Sequence, residues 1–260
     1  MYKILKYSLF DLLRSRWTFI YLGFYLLLAF GLLWLSGDHG KVIISLMNVE
    51  LLLAPLIATM FSVIYFYNSR EFVELLLAQP IPRTHIFLGQ YLGVSISLAL
   101  SYLLGVGVPF LLFGIVGSPQ ASNFLVVLLS GAVLSFIFSA LAFWIALKQE
   151  NRLKGFGFAL LSWLFFAVIY DGILLLLMTA FRDYPLDGLA LGASLLNPID
   201  LSRVMILLQL DISALMGYTG ALFKQFMGAG PGMLMVLGSL LLWSVVPVWA
   251  IARVARKRDF

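Results

Sequence analysis

The sequence predicts an all-α integral membrane protein with six transmembrane helices and both termini on the cytoplasmic side. Three observations predict it. Of 260 residues, 62% are hydrophobic and 11% charged, with a mean hydropathy of +1.03, against roughly 45–50% apolar and 25% charged in soluble domains. The excess is gathered in six apolar runs, each long enough for the roughly 20 residues a helix needs to cross about 30 Å of hydrocarbon. The basic residues between these runs fall unevenly on the two faces that such a threading creates.

In chain order, residues 1–16 place Leu5, Leu9, Leu12 and Leu13 on one helical face and Lys3, Lys6, Asp11 and Arg14 on the other. That pattern predicts an amphipathic helix lying in the membrane interface, with Trp17 marking the entry to the first span. No small-residue cleavage site follows, so the first helix is expected to be retained. The spans are placed at 17–36, 42–67, 86–113, 124–147, 156–181 and 233–252. With the N-terminus inside, the loops at 1–16, 68–85, 148–155 and 253–260 hold thirteen of the 17 Lys and Arg residues, and the other side keeps Lys41, Arg182, Arg203 and Lys224. The net charge of +5 therefore reports topology and not nucleic-acid binding. The basic run Arg253-Val254-Ala255-Arg256-Lys257-Arg258 is a cytoplasmic anchor on the same grounds.

Two segments between spans carry more information than ordinary loops. At 70–78, Arg70, Glu71, Glu74 and Ala78 line one stripe, while Phe72, Val73, Leu75 and Leu76 line the rest, and Pro80 and Pro82 stop the helix. A short amphipathic helix of this kind either hands motion to a soluble motor or is a plain surface loop. The segment 182–232 is expected to be an extracytoplasmic insert, too apolar for a free loop and too short for a domain. Residues 204–223 could form a seventh span, but Asp211 near their middle would be costly in lipid, and the extra crossing would put the basic C-terminus outside. Asn197-Pro198-Ile199-Asp200 is expected to start a helix capped by Asp200 and running to about Leu215. Its scattered polar residues suggest burial against a partner protein. The glycine-rich stretch at 228–232 should break the chain before the last span.

Catalytic chemistry is not encoded: there is no phosphate-binding G-x-x-x-x-G-K-[ST] loop, H-E-x-x-H, G-x-S-x-G or C-x-x-C, and no cysteine at all. The chain is read as a non-enzyme that binds no cofactor. Two acids, Glu50 and Asp171, fall inside spans. Each either is satisfied by hydroxyls and amides between helices or lines a polar path or pivot. No metal site is expected. The soft donors nearest to one are Met205, Met216, Met227, Met233 and Met235, in or beside the insert, and methionine is as readily a packing residue.

The start ending Leu12-Leu13-Arg14-Ser15-Arg16-Trp17, the six spans, and the run Glu74-Leu75-Leu76-Leu77-Ala78-Gln79-Pro80-Ile81-Pro82-Arg83 together resemble the ABC-2 permease family over nearly the whole chain. A second run, Asn197-Pro198-Ile199-Asp200-Leu201-Ser202-Arg203-Val204 with its continuation to Ala221, resembles the members of that family that serve nitrous oxide reductase maturation. The resemblance implies one transmembrane domain over 1–260, with an interface helix at 1–16, a coupling helix in the loop 68–85 and a periplasmic insert at 182–232. It implies a permease homodimer in a bacterial inner membrane, paired with a cytoplasmic ABC ATPase dimer that holds the ATP and Mg. The further partners implied are a periplasmic β-helical, NosD-like protein, a copper chaperone and nitrous oxide reductase, in denitrification. On this likeness Arg70, Glu71, Glu74, Leu75, Leu76, Gln79, Pro80, Pro82 and Arg83 would couple to the ATPase. Asn197, Pro198, Asp200, Arg203, Gln209, Asp211 and Tyr218 would dock the periplasmic partner. The alternatives are a generic ABC-2 exporter of a lipid, glycan or drug, and a non-transporting membrane anchor for periplasmic proteins.

Overall fold

The computed structural model describes residues 1–181, 187–210 and 229–257, and all their regular structure is helical. Six helices are long and apolar enough to span a bilayer: Arg16–Ser36, His39–Asn68, Arg83–Leu112, Ala121–Lys148, Arg152–Ala180 and Gly230–Arg256. They match the six apolar runs, and the chain is a multi-pass membrane protein. In order the elements are α1 (Tyr2–Leu13), α2 (Arg16–Ser36), α3 (His39–Asn68), α4 (Arg70–Leu77), α5 (Arg83–Leu112), α6 (Ala121–Lys148), α7 (Arg152–Leu164), α8 (Tyr170–Ala180), α9 (Asp187–Ser194), α10 (Pro198–Leu210) and α11 (Ala229–Lys257). A widened turn at Phe165–Ile169 joins α7 to α8, so the two make one span. At the opposite end from α4, α2 reverses into α3 through two residues, Gly37 and Asp38. Gly37 takes φ 62°, which only glycine adopts without strain, and the Asp38 side chain caps α3 by accepting from the Gly40 N–H at 2.8 Å.

Two helices organise the bundle. α6 packs against α3, α5, α7, α10 and α11, and the Phe138, Phe143 and Leu147 side chains on it are fully enclosed. α5 offers a stripe of small residues four apart, Gly89, Gly93, Ser97, Ser101 and Gly105, which lets neighbouring backbones approach closely. A Cβ at Gly93 would stand 2.5 Å from Ser8 Cβ, and one at Gly105 would stand 2.9 Å from the Leu22 carbonyl oxygen. α1 therefore runs along α5 with Ile4, Ser8 and Leu12 buried. This corrects the expected apolar face: Leu5, Leu9 and Leu13 are only half-buried, because the glycines of α5 select the face that can come nearest.

Two further expectations change. α11 begins at Ala229 and continues through Gly230, Pro231 and Gly232, so that stretch starts the last helix where a break was expected. Pro231 falls in the first turn, where its missing N–H costs nothing. α10 is buried from Pro198 to Leu208, with only Arg203 half-exposed, and it packs against α3, α6 and α11 of its own chain. Burial against a partner protein is thus not needed to account for its composition. The expected extension to Leu215, with Asp211, falls outside the described residues.

Candidate functional site

The polar chemistry lies at three levels of the bundle. At one end α4 follows Ser69, which anchors the turn: its hydroxyl donates to the Phe66 carbonyl at 3.2 Å and accepts from Gln90 Nε2 at 3.0 Å. Val73 is buried, Leu76 and Leu77 pack on the core, and Phe72 stacks on Tyr7 of α1 at 4.7 Å. The apolar side of α4 is thereby clamped to the bundle. The other side is free of it: Glu71 and Glu74 are exposed, Leu75 is 70% exposed, and Arg70 Nε contacts Glu74 Oε1 at 3.2 Å. Gln79, Pro80 and Pro82 continue the exposed surface to Arg83, the first residue of α5. Beside α4 is a cleft of about 270 Å³ whose lining includes Phe66, Tyr67, Arg70, Glu74, Gln149 and Glu150. The Tyr67 hydroxyl donates to the Gln149 carbonyl at 3.1 Å, joining the ends of α3 and α6. Sequence reasoning found the α4 side of this cleft and missed Tyr67, Gln149 and Glu150, which no local pattern connects to it.

In the middle of the bundle Glu50 is fully enclosed. Its Oε2 accepts from the Tyr102 hydroxyl and its Oε1 from the Ser130 hydroxyl, both at 2.6 Å. α3, α5 and α6 thus meet at one carboxyl group, and the Tyr25 ring of α2 lies edge-on to Tyr102 at 5.0 Å. A buried carboxyl is costly unless both oxygens are bonded. Here hydroxyls bond both.

At the far end Asp171 is held by a cation. Arg203 Nη1 lies 3.1 Å from Asp171 Oδ2 and 3.1 Å from Asp200 Oδ1. The Asp200 side chain is 5% exposed, and burial pushes its carboxyl above the usual range. Arg203 pulls it back down and Asp171 pushes it up. The cap of α10 is Asn197 and not Asp200: Asn197 Oδ1 accepts from the Ile199 N–H at 3.0 Å, while its Nδ2 donates to the Phe166 carbonyl in the widened turn at 2.9 Å. The Tyr170 hydroxyl donates to the Ala193 carbonyl at 2.6 Å. These contacts correct the docking surface expected here. Asn197, Pro198 and Asp200 are covered by the chain's own helices, and only Arg203 and Gln209 remain half-exposed. Tyr218, like Asp211, lies outside the described residues.

Among the described residues no three His, Cys, Asp or Glu side chains gather as metal ligands. Met205 and Met233 line one apolar cavity of about 280 Å³ between α6, α10 and α11. Met235 packs on the core, and Met216 and Met227 lie outside the described residues.

No family profile matches the chain. It is 28% identical to the probable ABC transporter permease protein NosY of Stutzerimonas stutzeri, over 96% of this chain and 93% of that one. It is 29% identical to the protein of the same name from Pseudomonas aeruginosa, over 82% of this chain and 84% of that one. The chain is thus similar to ABC transporter permeases over most of its length. The similarity to the Stutzerimonas stutzeri protein runs over nearly the whole chain and is not confined to one segment.

Proposed function

We propose that this permease is the membrane subunit of an inner-membrane assembly in which a separate cytoplasmic ABC ATPase drives conformational change across the bilayer. The observation that carries the reading is α4, a helix fixed to the bundle by Val73 and Phe72 while it offers Glu71, Glu74 and Leu75 outward. It lies at the end that holds most of the Lys and Arg residues, which the positive-inside rule assigns to the cytoplasm. A push on the exposed side would pass into α1, α3 and α5 without first deforming a loop. A homodimer fits the fifth span, Arg152–Ala180, where only Gly155, Ala159 and Leu174 are buried by the chain itself. The name shared by the relatives supports a role in maturing the copper centres of nitrous oxide reductase, with a periplasmic β-helical partner and a copper chaperone at the Arg203 end. ATP and Mg would bind the ATPase alone.

Changing both Glu71 and Glu74 to Lys should leave the permease in the membrane and abolish copper loading of the reductase in cells. Full loading in that variant would contradict the coupling role, and loading with a hydrolysis-dead ATPase would favour a passive anchor.

A further inference from the structure

Besides the α4 cleft, a second and larger cavity of about 630 Å³ opens between the ends of α6 and α11, lined in part by Trp144, Lys148, Glu150, Trp249 and Arg253. Each basic residue in it stands one turn beyond a tryptophan on the same helix. Lys148 Nζ lies 3.9 Å from the centre of the Trp144 ring, and Arg253 Cζ lies 5.1 Å from that of Trp249. Such stacking holds a long cationic side chain in place.

The position of the four residues along their helices matters as much as their pairing. α6 ends at Lys148 and α11 at Lys257. At about 1.5 Å per residue, Trp144 and Arg253 stand roughly 6 Å from their helix ends and Trp249 roughly 12 Å. Near the ends of spanning helices hydrocarbon gives way to headgroups, and there tryptophan settles and cations meet phosphates. The floor of the cavity is apolar, with Leu147, Ala250 and Val254. Trp249 is 58% exposed, so the cavity opens sideways from a spanning helix. Glu150 is shared with the α4 cleft and is already engaged by neighbours.

We infer that this cavity binds one phospholipid with an anionic headgroup, its phosphate held between Lys148 and Arg253 and its upper acyl carbons against Trp144 and Trp249. A free phosphate ion offers the same charge but no use for the apolar floor or the outward-facing tryptophan. An acidic segment of a soluble protein would have to reach below the level of Arg253 to touch Trp249. Because the cavity shares Glu150 with the α4 cleft, an occupant would sit next to the surface assigned to the ATPase. The site does not depend on that assignment.

The test is a lipid titration of the purified, full-length permease in detergent, followed by thermal unfolding, with dioleoyl phosphatidylglycerol, dioleoyl phosphatidylcholine and inorganic phosphate as separate arms. Phosphatidylglycerol should give a saturable stabilisation that phosphatidylcholine and phosphate do not. The double variant Lys148→Gln/Arg253→Gln should weaken the apparent affinity about tenfold or more, since each basic residue near an anionic lipid is worth about a factor of five. Lys148→Arg/Arg253→Lys should retain it, which separates loss of charge from loss of fold. An unchanged phosphatidylglycerol response in the Gln variant would overturn the site, whether or not that variant still associates with the ATPase. A phosphate response equal to that of the lipid would overturn the lipid assignment.

Discussion

Arg203 of α10 reaches the fifth span, placing Nη1 3.1 Å from Asp171 Oδ2. The same nitrogen holds Asp200 at 3.1 Å, so one guanidinium ties the short helix to a span and also neutralises a carboxylate buried in its first turn. Arg203→Leu should therefore destabilise the fold more than Asp171→Asn does. With Asp200 enclosed and Arg203 itself 36% exposed, the expected cost is about 1–3 kcal/mol, against less than about 1 kcal/mol for Asp171→Asn. Thermal unfolding of the two variants in one detergent checks the order.

Asp200 also predicts a pH dependence. Its folded carboxyl is raised above 3.8, chiefly by burial, so the folded protein binds this proton more tightly than the unfolded chain. Stability from this group is then highest below 3.8 and falls as pH rises through the raised value. Asp200→Asn should flatten that part of the stability profile and leave the rest unchanged, measured as unfolding temperature from mildly acidic to neutral pH.

For Glu50 the informative comparison is between truncation and isosteric change. Glu50→Ala removes the acceptor of two buried hydroxyls and leaves a void, at an expected cost of about 2–4 kcal/mol. Tyr102→Phe removes one bond and should cost about 1–2 kcal/mol. Glu50→Gln keeps the shape and should fall at or below the Tyr102→Phe value. Denaturant unfolding of the three variants tests the ranking, and an inactive but fully stable Glu50→Gln would point to a role beyond packing.

At Gly93 the predicted effect is steric. A methyl group there stands 2.5 Å from Ser8 Cβ, so Gly93→Ala should lift α1 from α5 at a cost of about 1–3 kcal/mol. Gly107→Ala, with nothing near the added carbon, should cost little. Protease cleavage within residues 1–16 should quicken in the first variant only.

How much of this was legible follows from the range of each interaction. The six spans were, because hydrocarbon demands long uninterrupted apolar runs and each run carries its own signal. So was α4, whose stripe of Arg70, Glu71 and Glu74 and whose two prolines are all local. The partners of Glu50 were not: Tyr102 and Ser130 stand 52 and 80 residues away, and nothing in a single sequence selects them from other hydroxyls in the spans. The fate of α10 was hidden for a related reason. Its composition reports that Leu201 to Leu208 are covered, but not whether another protein or α3, α6 and α11 cover them. The buried face of α1 escaped because it is decided by Gly89 and Gly93, and not by the leucines of α1 itself.

On the proposed function, α4 faces the cytoplasm and meets the ATPase there. The chain has no cysteine, so Glu74→Cys creates a single reporter on that exposed surface. Labelled with a membrane-impermeant maleimide, it should react in inside-out vesicles, be silent in right-side-out vesicles, and be protected when the ATPase is bound. Reaction from the outside would contradict the account.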